Sequence, residues 1–170
     1  MASSEENNTK TVQNLAMAAM GSSLSNAEVS RKCEKIYNRI IRYKSGQKVS
    51  QDDMVLAACV MMVDVASASG PLPQKAYGMI NRGLYCLFSS KTMIPALVIQ
   101  YSQSVLSDFR RTEQFAELFS SQIPLDKRTS LYEVLSTMAE SIGAEDPMTI
   151  YVIQRYQRYL VPEHVGAYAA

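Results

Sequence analysis

The stretch MVDVASASGPLPQKAYGMINR, Met62–Arg82, decides the fold. An apolar helical run passes through Ala and Ser into Gly70, Pro71 and Pro73 break it, and a second run with apolar residues at helical spacing follows. The stretch also recurs. A shift of 73 positions lays Val65-Ala66 on Met138-Ala139, Gly70 on Gly143, Met79-Ile80 on Val152-Ile153 and Arg82 on Arg155. The repeat unit is an apolar helix, a glycine turn, a Pro-started helix and an Arg just past its last core residue.

Working backward, the helix entering Gly70 starts at Ser50-Gln51-Asp52-Asp53, a Ser-x-x-acid start with acids well placed against the helix dipole. Its centre, Met54–Val63, is apolar nearly all round, so it is expected to be the central helix, packed by neighbours on most sides. Asp64 shares its least apolar stripe with Asp53 and Ala57, which predicts partial exposure there. The preceding helix, about Ala27–Lys44, has Val29, Cys33, Ile36, Tyr37, Ile40 and Ile41 at spacings of three and four, and Ser25 or Asn26 to cap it. Arg31, Lys32, Lys35, Arg39 and Arg42 make its other face basic.

Working forward, Pro73 suits a first helical position, and Ala76, Tyr77, Ile80, Leu84 and Leu87 form the next apolar face. Gly78 and Gly83 within it point to a close helix crossing, since each costs about 1 kcal/mol relative to Ala in a helix. Further helices are expected from Pro95 to about Thr112, with Leu97, Tyr101, Val105 and Phe109 inward, and from Glu113 to Ser120. Another runs from a Leu125-Asp126 staple and cap to Gly143, and the last from Asp146-Pro147 to Leu160. No segment shows sustained period-2 alternation. The fold class is therefore all-α, with about seven helices and two pseudo-repeated helix-turn-helix units around a central apolar helix. Residues 25–160 form one domain. Residues 1–24 are a polar tail plus the Met/Ala-rich piece Val12–Met20, and 161–170 are a C-terminal tail.

The 170 residues carry net charge +1 and 47% apolar content, enough for one sizeable core. Residues 1–50 hold eight Lys or Arg against four Glu, and the remainder nine against twelve acids. Cys33, Cys59 and Cys86 are odd in number and set among apolar residues, so they read as buried free thiols in a reducing compartment. The polar start MASSEENNTK is no signal peptide, and Met54–Val63 is too short to span a bilayer. A cytoplasmic location is expected.

The segments Met62–Gly70 and Leu135–Gly143, each running through Ala into a Gly turn, together with Phe119–Leu131 between them, resemble the TerB-like family. This is the helical fold of tellurite-resistance protein B and of the N-terminal domain of a DnaJ-like co-chaperone, and the likeness covers roughly Asp52–Leu160. The resemblance implies divalent-metal binding through acids at an Ala-Asp-Gly turn. Here Ser69 stands in the Asp position of the first turn, and Pro71-Leu72-Pro73 follow without a carboxylate. The second turn has Ile142 in that position but keeps Glu145 and Asp146, with Glu140 nearby. A hard cation takes six or more oxygens with several carboxylates typical, and one acidic turn supplies too few.

A second candidate surface is the Tyr/Arg interleaving of IYVIQRYQRYL, where Tyr151, Arg155, Arg158 and Tyr159 suit stacking and phosphate pairing. Arg31, Lys35, Arg39 and Arg42 of the basic helix would extend it for a nucleic acid or a protein partner. With Ile36, Ile40 and Ile41 inserted, the same helix could instead lie on an anionic membrane. The only histidine, His164, lies near the end, and there is no phosphate loop or dinucleotide fingerprint, so no enzyme and no cofactor is expected. The leading expectation is a non-enzymatic protein-interaction module, with self-association included. The alternatives are a stress-response protein holding a divalent metal at the second turn and a nucleic-acid binder.

Overall fold

The computed structural model describes residues 26–44, 46–89, 96–108 and 112–164. Val12–Met20, Ser25 and Phe109 lie outside them. The described chain is all-α: α1 (Asn26–Ile41), α2 (Gln51–Ser67), α3 (Gln74–Phe88), α4 (Ala96–Asp108), α5 (Glu113–Gln122), α6 (Leu125–Gly143) and α7 (Pro147–Leu160), then a short 3-10 turn, Pro162–His164. No described helix is long and apolar enough to cross a membrane.

Helix α2 is the axle, touching each of the other six. Every residue from Met54 to Val63 is 4% exposed or less, as an all-round apolar helix requires. Its start is a reciprocal capping box: the Asp53 amide donates to Ser50 Oγ, and the Ser50 amide donates to Asp53 Oδ2. Of the stripe expected to be partly exposed, Asp64 is so, its side chain 18% open and held by Arg155 and Tyr156 of α7, whereas Ala57 is wholly buried and Asp53 is 5% exposed.

The two helix-turn-helix units are α2–α3 and α6–α7, and they meet at their turns. A Cβ on Gly143 would lie 2.8 Å from Thr149 Oγ1 and 3.1 Å from Ser69 Oγ, and Lys75 Nζ donates to the Ser141 carbonyl. The aligned glycines do different work, however. Gly70 sits in the turn at φ +154, whereas Gly143 is the last residue of α6 and is needed for space.

The close crossing expected of α3 falls on Gly83, where a Cβ would approach Val134 Cγ1 to 2.7 Å and Met62 Cε to 3.0 Å. Gly78 has nothing within 4 Å. Pro73 is the N-cap of α3 and Pro124 that of α6, so Asp126 lies in the first turn of α6. Cys86 is exposed, correcting the reading of three buried thiols, because it falls on the solvent side of α3. Cys33 and Cys59 are buried, and burial pushes their thiols up to about 11 and about 12, which makes them inert. The packed core runs through Leu160 to Val161, both without exposed surface.

Candidate functional site

A concavity of about 740 Å³ forms a groove between α1 and the segment that leads from α1 to α2. Helix α1 contributes Lys35, Asn38, Arg39 and Arg42, which follow one another at helical spacing on its basic face. The connector supplies Tyr43, Gln47, Lys48 and Val49, and the floor is completed by Asp53 and Leu118.

The connector is tied down by the end of α5. Gln122 Nε2 donates to Tyr43 Oη at 2.7 Å and to the Gln47 carbonyl at 3.4 Å, and Tyr43 Oη shares a hydrogen bond with Ser121 Oγ. Lys44 N donates to Gln47 Oε1, and Gly46 takes φ +91 between them. These bonds fix the far wall of the groove.

Four cations and one carboxylate line this space. Arg39 donates from Nε and Nη2 to Asp53 Oδ1, at 3.1 and 2.8 Å, while its side chain stays 55% exposed. Asp53 is therefore committed twice, with Oδ2 in the helix cap and Oδ1 on Arg39. Lys35, Arg42 and Lys48 are exposed and pair with no carboxylate among the described residues. Arg31, expected beside them, is exposed on α1 but does not line the groove.

The Tyr/Arg stripe of α7 falls elsewhere. Tyr151, Arg155, Arg158 and Tyr159 do converge, lining a hollow of about 200 Å³ with Gln154 and Glu113. Arg155 is not a free cation there. Its Nη2 donates to Asp64 Oδ2 at 2.7 Å and to Thr112 Oγ1, and its guanidinium lies 5.3 Å from the Tyr156 ring centroid. The buried Tyr156 hydroxyl donates to the same Asp64 oxygen at 2.6 Å.

Burial raises the Asp64 carboxyl above its ordinary range, against the lowering effect of Tyr156 and Arg155. Burial, then the facing Asp64 charge, pushes the Tyr156 hydroxyl well above its own. Both shifts belong to a clamp that ties α2, α5 and α7 together. Sequence reasoning missed this cluster. The available signal was Asp64 itself, a lone acid at the end of an apolar helix, which calls for an internal partner.

The second-turn acids do not converge. Asp146 Oδ1 caps α7 by accepting from the amides of Met148 and Thr149, and Glu140 and Glu145 are exposed. Among the described residues no three His, Cys, Asp or Glu side chains form a group suited to a metal ion.

On the outside of α7, Met148, Ile150 and Tyr151 are 43–57% exposed within one turn. Comparison with protein-family models, curated proteins and solved structures found no match.

Proposed function

We propose that this chain is a non-enzymatic protein-interaction module, an assembly component whose helical scaffold presents α7 to a second copy. The observation that carries this reading is the exposure of Met148, Ile150 and Tyr151, three large apolar side chains left in water within one turn of the helix. The other face of the same helix buries Val152, Tyr156 and Leu160, so α7 is anchored firmly enough to serve as a contact surface. Further along, Gln154 and Arg158 give the patch a polar edge, as interfaces between folded domains have.

The TerB-like resemblance enters this proposal as a scaffold only. The turn it would use for a divalent cation offers Asp146, whose carboxylate already caps α7. Nucleic acid is less favoured, because the hollow holding Tyr151 and Arg158 also contains Glu113, and Asp64 neutralises Arg155.

Light scattering after size-exclusion chromatography tests the proposal. The wild-type mass is expected to rise with concentration above the 18.9 kDa of one chain, and Met148→Asp with Tyr151→Asp to return it to one chain with an unchanged thermal midpoint. A wild-type mass of one chain at every concentration would remove self-association through α7.

A further inference from the structure

We propose that the groove between α1 and the α1–α2 connector binds an extended acidic peptide segment with carboxylates at alternating positions. This site lies apart from the α7 surface and does not depend on it.

Charge comes first. With Asp53 spent on Arg39, the groove keeps a net charge of +3, on a chain whose total is +1. Lys35 and Arg42 project from one wall and Lys48 from the other, none of them paired to a carboxylate among the described residues. Arg39 adds the remaining donors of a guanidinium that Asp53 holds in place.

Spacing comes second. Lys35, Arg39 and Arg42 are separated by four and then three residues, which at 1.5 Å rise sets them about 6 and about 4.5 Å apart along the helix. Alternate residues of an extended peptide are about 6.8 Å apart on one side of the chain. Carboxylates on that side match the first interval, and the long, flexible side chain of Arg42 covers the difference at the second; Val49 and Leu118 supply the apolar part of the lining.

The lining also decides between peptide and nucleic acid. Single-stranded nucleic acid is held by stacking on several aromatic rings along a basic track. Here there is one ring, Tyr43, with its hydroxyl tied to Ser121 and Gln122.

Fluorescence anisotropy on the full chain tests the proposal, with a labelled nine-residue peptide of alternating Glu and Val and, separately, a labelled twelve-nucleotide single strand. Saturable peptide binding is expected, weakening as salt is added. Lys35→Glu with Arg42→Glu and Lys48→Glu should weaken it about tenfold or more, the sum of three modest exposed pairs. All three positions are exposed, and circular dichroism checks that the variant melts as the wild type does. Should it not, the neutral pair Lys35→Gln and Lys48→Gln replaces it, with a smaller loss expected. Arg31→Glu, on the same helix but outside the groove, should stay within about twofold of wild type. No saturable peptide binding, or equal loss in Arg31→Glu and the groove variants, overturns the proposal. So does an oligonucleotide that binds more tightly than the peptide and displaces it.

Discussion

The two ends of α2 each hold an aspartate paired to an arginine of another helix, and the pairs differ in what surrounds them. Near the start, Asp53 holds Arg39 with the arginine 55% exposed and opening onto a groove. Near the end, Asp64 holds Arg155 with both side chains 18% exposed, and Tyr156 and Thr112 complete the set. The same ionic chemistry thus does two jobs. Water at the first pair leaves a guanidinium with donors to offer outward. Burial at the second turns the pair inward, where each charge depends on the other.

The sharpest way to break this comparison is Asp64→Ala. It leaves Arg155 uncompensated and Tyr156 without its acceptor, so a loss of roughly 3–5 kcal/mol in urea unfolding is expected. A loss under about 1 kcal/mol would make the two pairs equivalent after all.

Crowding marks the same half of α2. Gly83→Ala forces a methyl against Val134 and Met62, for an expected loss of about 1–3 kcal/mol, whereas Gly78→Ala in the same helix meets open space and should gain about 0.5–1 kcal/mol. Thermal midpoints moving in opposite directions confirm the contrast.

At the first half of α2, Asp52 is 8% exposed, and Oδ1 has no hydrogen-bond partner among the described residues. Burial raises its carboxyl from 3.8 to about 6, with Lys32 and Arg39 opposing and Asp53 reinforcing the rise. Because the folded value is the higher one, Asp52 favours folding most below about pH 3.8, and that contribution is lost as pH rises through about 6. Asp52→Asn should therefore gain on the wild type by about 1–2 kcal/mol between pH 4 and pH 7.5, measured by urea titration at each pH. A constant difference would show that the carboxyl titrates normally.

The smallest effect is expected from Arg39→Ala. An exposed arginine leaves an aspartate still bonded to the Ser50 amide, so stability should fall by about 1 kcal/mol or less. A larger loss would place Arg39 in the same class as Arg155.

Much of the framework was legible in the residues. The apolar run Met54–Val63 identified the central helix, Ser50 and Asp53 its capped start, and Asp146-Pro147 the start of α7, because each signal acts within a few residues of itself. The basic spacing of Lys35, Arg39 and Arg42 likewise marked one wall of the groove.

Other features were settled by parts of the chain far apart in sequence. Asp64 and Arg155 are 91 positions apart, and although a lone acid on an apolar helix calls for a partner, nothing local to it singles out Arg155. The opposite wall of the groove, Tyr43 with Gln47, Lys48 and Val49, takes its place from bonds to Ser121 and Gln122 across some 75 residues. Local periodicity and capping thus determined which segments are helices and which faces are apolar, because those preferences arise within a turn or two. Only the packing of α5 and α7 over α2 decided which charges were buried together and which were left facing water, since burial belongs to all the neighbours at once.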